Sequence, residues 1–475
     1  MTTLTHPIAK PLSGRHHYLE ELAAIIKLAF PMLVTQLGVS AVGFIDTMMA
    51  GHYSTTALAG AAVGSSIGFP CIIALNGVMM AVTPITAQLT GAGHLKAIGP
   101  KVRQALWLGI LLAALLFAVF RHMDTVLEIM KLDSEVVAVA KGYLAGLSLG
   151  LPAAAGYFVL KSYVEGLGDT KPQMIISVIT VGFNYVANDI LIHGKWGFPE
   201  LGGAGCGYAS GLTFWLFFLC ILGYSLLNKR CRKTQVFSTL SLPSAKGIME
   251  ILKLGLPIGG TIFMECSIFA CITLFIGVLG PIIVGGHQIT LNYSGLVFAF
   301  PLSIGMSITI RAGHAIGRKD PEAARLSCLM GCALAVGISL LTLTFTRLFS
   351  HEIVAIYTTD PVVSAIAVSL LQIGALYQVS DAIMTTCQGA LRGYKDANMT
   401  LLLTFMAYWV ITLPLGYVLA MTDLVVPALG AKGFWLSLIA GLTISGVLLS
   451  SRLYRVSSKH IKNQYRKDHR RDQRP

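Results

Sequence analysis

Three acidic residues stand in the middle of long apolar segments: Asp46 in Gly-Phe-Ile-Asp-Thr-Met-Met, Glu265 in Ile-Phe-Met-Glu-Cys-Ser-Ile and Asp381 in Gln-Val-Ser-Asp-Ala-Ile-Met. An acid at the centre of a lipid-spanning helix costs about 2.5–3.5 kcal/mol on insertion scales, so it is a functional candidate by default. The chemistry such groups offer is the holding of a cation or a proton. Carboxylates supply oxygen ligands to Na⁺, and two close together raise each other's proton affinity, so that H⁺ competes. The bland alternative is an acid satisfied by helix–helix hydrogen bonds. No Lys or Arg is expected at membrane depth to neutralise these three.

Spacing sorts the acids by depth. Glu265 follows Lys253 by 12 residues and Asp381 precedes Arg392 by 11, which puts them roughly 18 and 16 Å from one membrane edge at about 1.5 Å per residue. They can share one cation or a proton. Tyr377, one helical turn before Asp381 and on the same face, can add an oxygen. Asp46 is 19 residues beyond Lys27, roughly 28 Å up. Asn184, Asn188 and Asp189 reach a similar level from Lys171, at roughly 20–27 Å. Asn184 and Asn188 lie on one face and can meet Asp46 in a second polar site. Asp189 either joins them or approaches the outer surface.

Weaker candidates are Gln288 and Ser66, with Ser65, which could face a cleft and touch substrate. His287, beside Gln288 after a glycine pair, is a further weak polar candidate, and a lone histidine such as His314 is expected to be structural. The pair His351-Glu352 begins an H-E-x-x-H pattern that fails at Ala355, and no G-x-x-x-x-G-K-[ST] sequence occurs. An enzyme is not expected, nor direct use of ATP, nor any cofactor beyond the coupling ion.

The elements that position these residues are membrane helices. Of the 475 residues 55% are apolar and 12% charged, against about 25% charged in a soluble domain. A spanning helix needs roughly 20 apolar residues, and about twelve such stretches are visible, from 24–50, 57–83 and 102–121 through 136–160 and 283–309 to 362–389, 398–421 and 428–451. The expected fold class is all-α and polytopic. Continuous rather than alternating apolar runs argue against a β-barrel. The polar start, with His6, Lys10 and Arg15, does not read as a cleavable signal. The nine cysteines are expected to pack as small apolar residues rather than bind metal or pair.

The chain is a duplicated six-helix unit. Residues 27–91 align with 253–317 without a gap, matching Lys27 to Lys253, Pro31 to Pro257, Gly60 to Gly286 and Gly91 to Gly317. Gly166-Leu-Gly-Asp169 echoes Gly393-Tyr-Lys-Asp396, and Pro199-Glu-Leu-Gly202 echoes Pro427-Ala-Leu-Gly430. The expected organisation is a segment 1–23, a first lobe 24–228, a linker 229–247, a second lobe 248–451 and a basic tail 452–475. Two parallel repeats related by an axis along the membrane normal face each other across a central cleft. The acids break the repeat: Asp46 corresponds to Ile272, and Glu265 to Val39.

The net charge of +13 is not a nucleic-acid signal. With alternate loops assigned to opposite sides, 29 of the 35 Lys and Arg fall on one side and 6 on the other, which is the positive-inside pattern. Both termini are therefore expected in the cytoplasm, the protein in a bacterial-type inner membrane, and its basic tail against anionic lipid.

The stretch Phe-Ile-Asp46-Thr-Met-Met-Ala-Gly51-His, the Glu265 helix after Gly-Leu-Pro257, and Tyr377-Gln-Val-Ser-Asp381 followed by Gln-Gly-Ala-Leu-Arg-Gly393 resemble the first, seventh and tenth helices of the multidrug and toxic compound extrusion family, NorM-like branch. The resemblance runs from about residue 20 to 455. It implies export of cationic or amphipathic compounds in exchange for Na⁺ or H⁺, by a chain able to work as a monomer. It also implies a cation site at Glu265 and Asp381 with Tyr377 nearby, a polar site at Asp46, Asn184 and Asn188, and substrate contact at Gln288. Archaeal-type members carry a further acid where Asn188 stands here. A flippase for lipid-linked oligosaccharides on a related frame is the alternative. It would line its cavity with Arg and Lys, whereas here nearly every cation is assigned to a loop or membrane edge.

Overall fold

A computed structural model describes residues 15–123, 127, 133–239 and 241–472. Twelve of its helices are long and apolar enough to span a membrane. In the first half they are α1 (Arg15–Tyr53), α2 (Thr55–Gly91), α3 (Leu95–Arg121), α4 (Ser134–Gly166), α5 (Lys171–His193) and α6 (Ala204–Leu227). In the second they are α7 (Ala245–Gly277), α8 (Pro281–Gly317), α9 (Pro321–Leu348), α10 (Pro361–Gly393), α11 (Ala397–Met421) and α12 (Ala431–Asp472). The fold is all-α, two matched six-helix halves facing a central cleft. Of the expected segments, residues 1–14, 124–126, 128–132, Leu240 and 473–475 lie outside the described residues. The stretch expected as a separate tail continues α12 to Asp472.

The duplication is visible contact by contact. Gly60 of α2 packs on Val139 of α4 as Gly286 of α8 packs on Ile366 of α10. Each half carries a proline inside its first helix, and a threonine one turn on donates to that proline's carbonyl: Thr35 to Pro31 and Thr261 to Pro257, both at 2.9 Å. The turns after α5 and α11 close with the same bonds, Leu201 N to Leu191 O and Leu429 N to Leu419 O, each 3.0 Å. In α11 the residues 406–412 form a π-helical stretch, in which Thr412 donates to Ala407 O at 2.8 Å.

Four helices run past the ends that hydropathy sets. The stretch 57–83 continues to Gly91, 136–160 to Gly166, 283–309 to Gly317 and 362–389 to Gly393. These are two pairs of repeat equivalents. Their extra turns carry Gln88, Glu165, His314 and Arg392, so the apolar signal stops before the helix does.

These extensions join the halves. Gln88 Nε2 donates to Gly393 O at 2.9 Å, and His314 Nε2 donates to Gly166 O at 2.8 Å. The two bonds are equivalents of each other under the repeat. Between them the backbones touch: a Cβ on Gly91 would lie 2.0 Å from His314 O, and one on Gly317 2.1 Å from Gln88 O. Nearer the cleft, Gly77 meets the Gly259 backbone. Arg311 of α8 holds Glu21 of α1 in a bidentate pair, and Lys101 of α3 pairs with Glu250 of α7. All these contacts lie toward the end that carries the chain termini. At the other end the helix tips bond within their own half, as Tyr53 does with Glu200 and Trp435 with His287. Among the described residues the cross-half bonds and close backbone contacts named here gather at the termini end of the cleft.

Glycine at 91 and 317 is thus required by close backbone approach rather than by backbone angle. Gly317→Ala is expected to force this end apart and narrow the opposite end. Spin labels at positions 196 and 424, on exposed loops of the two halves, would report a shortened distance in a cysteine-free background. An unchanged distance distribution would contradict the packing account.

Candidate functional site

The Asp46 carboxylate is held by two donors from neighbouring helices. Asn188 Nδ2 of α5 reaches Oδ1 at 2.6 Å, and the Ser210 hydroxyl of α6 reaches Oδ2 at 2.7 Å. Asn188 Nδ2 also lies 3.2 Å from Asn184 Oδ1, and Asn184 donates to Thr213 Oγ1 at 3.4 Å. Both asparagines are fully buried. Tyr143 of α4 lies against Asp46 and Ser210. Asn188 Oδ1 is buried and has no donor. The structure therefore brings Asp46, Asn184 and Asn188 together. In the second half the equivalents of Asp46, Asn188 and Ser210 are Ile272, Gly416 and Leu438, so this cluster belongs to one half only.

Asp189 does not join it. One residue along a helix turns the side chain by about 100°, and Asp189 faces outward, where Lys195 Nζ holds its two oxygens at 2.9 and 2.8 Å. His193 Nδ1 is 3.3 Å away.

In the second half Asp381 is 3% exposed on α10, with Tyr377 beside it, one turn away on the same face. The Tyr377 ring is fixed edge-on by Phe269 and Trp435, at centroid distances of 6.3 and 5.9 Å. Trp435 in turn donates to His287 at 3.2 Å, which assigns that histidine to packing. Beside Asp381 lies a recess whose polar walls are Ser294, Ser339, Thr342 and Gln378. Gln378 donates to Thr346 at 3.0 Å and leaves its own buried Oε1 without a donor. Glu265 on α7 is close enough to act electrostatically on Asp381. Its Oε1 accepts from Gln388 Nε2 at 2.6 Å.

Two cations at the ends of membrane helices are buried within the protein. Arg392, used above to mark a membrane edge, is buried at 7% exposure, and Glu265 is the acid whose charge acts on it. Lys161 is equally buried and lies 3.9 Å from Glu165. Both belong to the helix extensions that hydropathy misses. Sequence reasoning also passed over Ser210, Tyr143, Gln378 and Gln388. One signal was present: residues 381, 388 and 392 form a single helical stripe at seven and four residue steps.

Gln288 and Ser66 are both exposed. Each lies two residues from a glycine that packs against α10 or α4, Gly286 or Gly64, and so on the face turned away from its own half. The Ser66 hydroxyl donates to Ala62 O at 2.7 Å.

Fold and polar clusters together define a class: a multi-pass membrane protein of two matched halves, with buried acid in each half beside a shared cleft. The MatE family model matches residues 31–190 and 257–418, one block in each half. The chain is 41% identical over 459 residues to the multidrug resistance protein PmpM of Pseudomonas aeruginosa, covering 96% of each. It is 38% identical over 440 residues to the multidrug resistance protein NorM of Vibrio cholerae, covering 92% of this chain and 96% of that one. It superimposes on the outward-facing conformation of a multidrug resistance MATE transporter with a TM-score of 0.85 and 20% identity, over 95% of this chain and 100% of that one. The chain belongs to the MatE family, and its sequence sits with the NorM-like members.

The Asp46 cluster makes a stability prediction. A hydrogen bond to a charged group contributes about 1.5–3 kcal/mol. Asn188→Ala is expected to cost about that much in thermal or denaturant unfolding, and much less in an Asp46→Leu background. Equal costs in both backgrounds would mean that the bond does not carry the cluster.

Proposed function

We propose that this protein exports cationic or amphipathic compounds from the cytoplasm in exchange for Na⁺ or H⁺, by alternating access of the cleft. The observation that carries this reading is that two buried acids, Glu265 and Asp381, lie close enough for their charges to interact, with a recess walled by hydroxyl and amide oxygens beside Asp381. A monovalent cation needs such oxygens, and an unpaired carboxylate in this setting needs a cation. Multidrug resistance proteins among the relatives support the choice of cargo. Exposed Gln288 and Ser66 are the polar contacts proposed for substrate, among apolar walls that suit varied aromatic cargo.

In this reading the termini lie in the cytoplasm of a cell bounded by an inner membrane, and the open end of the cleft faces outward. An external cation enters at Asp381 and Glu265, weakens the hold on a cationic compound, and the compound leaves. The outer end then closes, the bonds of Gln88 and His314 part, and the ion is released inward. The Asp46 cluster serves as a second protonation or polar site, whose buried Asn188 acceptor supports the assignment. The two lobes proposed at 24–228 and 248–451 move about the linker 229–247.

Energetics bears on stoichiometry. Moving one charge through 100 mV is worth about 2.3 kcal/mol, and a one-for-one swap of monovalent cations cancels it. Each tenfold of accumulation costs about 1.4 kcal/mol. Strong pumping of cations therefore favours more than one coupling ion per cycle, and the acids on both sides of the cleft allow it.

Efflux of a fluorescent cation in everted vesicles, with Na⁺ and pH gradients imposed separately, tests the reading. Glu265→Gln and Asp381→Asn should abolish gradient-driven efflux, and Asp46→Asn should reduce it at least about tenfold, the effect of roughly 1.4 kcal/mol. Three well-inserted variants with full efflux would overturn the assignment.

A further inference from the structure

Glu265 is also tied into a second set of groups, nearer the end of α10 that carries Gly393. The Gln388 amide that donates to it at 2.6 Å also lies 3.4 Å from Thr404 Oγ1. One turn along α10, the buried Arg392 donates from Nε to the Gln388 carbonyl at 3.4 Å. Gln388 and Arg392 share a small recess with Thr261, one turn before Glu265 on α7, and Thr400 of α11. Among the described residues no carboxylate lies within 4.0 Å of the Arg392 guanidinium. The next residue, Gly393, is the acceptor of the cross-half bond from Gln88.

The repeat shows what is unusual. In the first half the equivalents of Gln388 and Arg392 are Lys161 and Glu165, which neutralise each other along one helix at 3.9 Å. In the second half the position one turn before the cation is Gln388 rather than an acid, and the acid whose charge acts on it is Glu265 on the facing helix. A buried guanidinium without a dedicated partner is costly, and its position beside a coupling acid gives it a task.

We propose that Gln388 and Arg392 are positioning residues that set the affinity of Glu265 for the coupling ion. This rests on the reading of Glu265 as a coupling acid. An N–H donor and a positive charge both stabilise the bare carboxylate, and both compete with an incoming Na⁺ or proton for it. They weaken the bound state and so permit release of the ion on the inner side. Their place on the last turns of α10, adjoining Gly393, puts this counterweight next to the bond that holds the inner end shut.

The test is the dependence of gradient-driven efflux on the concentration of the driving ion, in everted vesicles, for three variants with Glu265→Gln as control. In Arg392→Gln the half-saturating ion concentration should fall about tenfold, as for loss of one charged interaction, and the maximal rate should fall with it because release is slowed. For proton coupling the same change appears as a pH profile displaced to the alkaline side. Arg392→Lys, which keeps the charge, should remain near wild type. Gln388→Ala should move in the same direction as Arg392→Gln by a smaller factor, and it carries the test if Arg392→Gln does not reach the membrane. Unmoved half-saturation in Gln388→Ala and Arg392→Gln, or equal effects of Arg392→Lys and Arg392→Gln, overturns the proposal. If Glu265→Gln itself keeps full ion-dependent efflux, the underlying reading fails instead.

Discussion

A carboxylate surrounded by hydrocarbon has few ways to exist: as a neutral acid, paired with a cation, or bonded to several donors. This chain places acids of the first rank in that position, and much of its architecture follows from how each is satisfied. Asp46 takes the third route, with donors from α5 and α6 drawn onto it. Glu165 takes the second, with Lys161 on its own helix. Glu265 and Asp381 are left with one amide, one phenol and each other. In the proposed reading the incompleteness of that last set is what opens the second half to ions, while the first half is more nearly closed on itself.

Duplication supplies the frame in which this difference is useful. The halves agree in their proline–threonine pairs, their helix-end turns and the glycines that let helices touch. They disagree where the polar chemistry lies. The contacts at the termini end reflect both facts. Gln88 and His314 make equivalent bonds across the interface, yet one acceptor follows Glu165 and the other follows Arg392. A symmetric joint is therefore flanked by opposite buried charges. Such a joint is made of few hydrogen bonds and close backbone contact, which suits the alternating access proposed for the cleft.

Much of this was legible in the residues. Hydropathy located twelve spans, the repeat fixed the two halves, and helical spacing put Asn184 and Asn188 on the face that meets Asp46. Periodicity could not settle Asp189, because a residue adjacent to a buried one is turned toward whatever lies on the next face, here Lys195. It also failed at the ends of α2, α4, α8 and α10, where helix outlasts apolarity. Hydropathy therefore reads Arg392 and Lys161 as membrane-edge or loop cations, although both are buried. Ser210, Tyr143 and Gln378 were missed for a plainer reason: hydroxyls and amides are common on packed membrane helices, and only the third dimension shows which ones converge.

The central claim is that Glu265 and Asp381 exchange a mobile positive ion with their surroundings. Its most direct measurement is a proton-uptake titration of the purified protein in lipid nanodiscs, with and without Na⁺, beside a Glu265→Gln/Asp381→Asn double variant. The account predicts that the native protein takes up protons, or releases them when Na⁺ is added, in a step the double variant lacks. Superimposable titrations for the two proteins, unaffected by Na⁺, would contradict it.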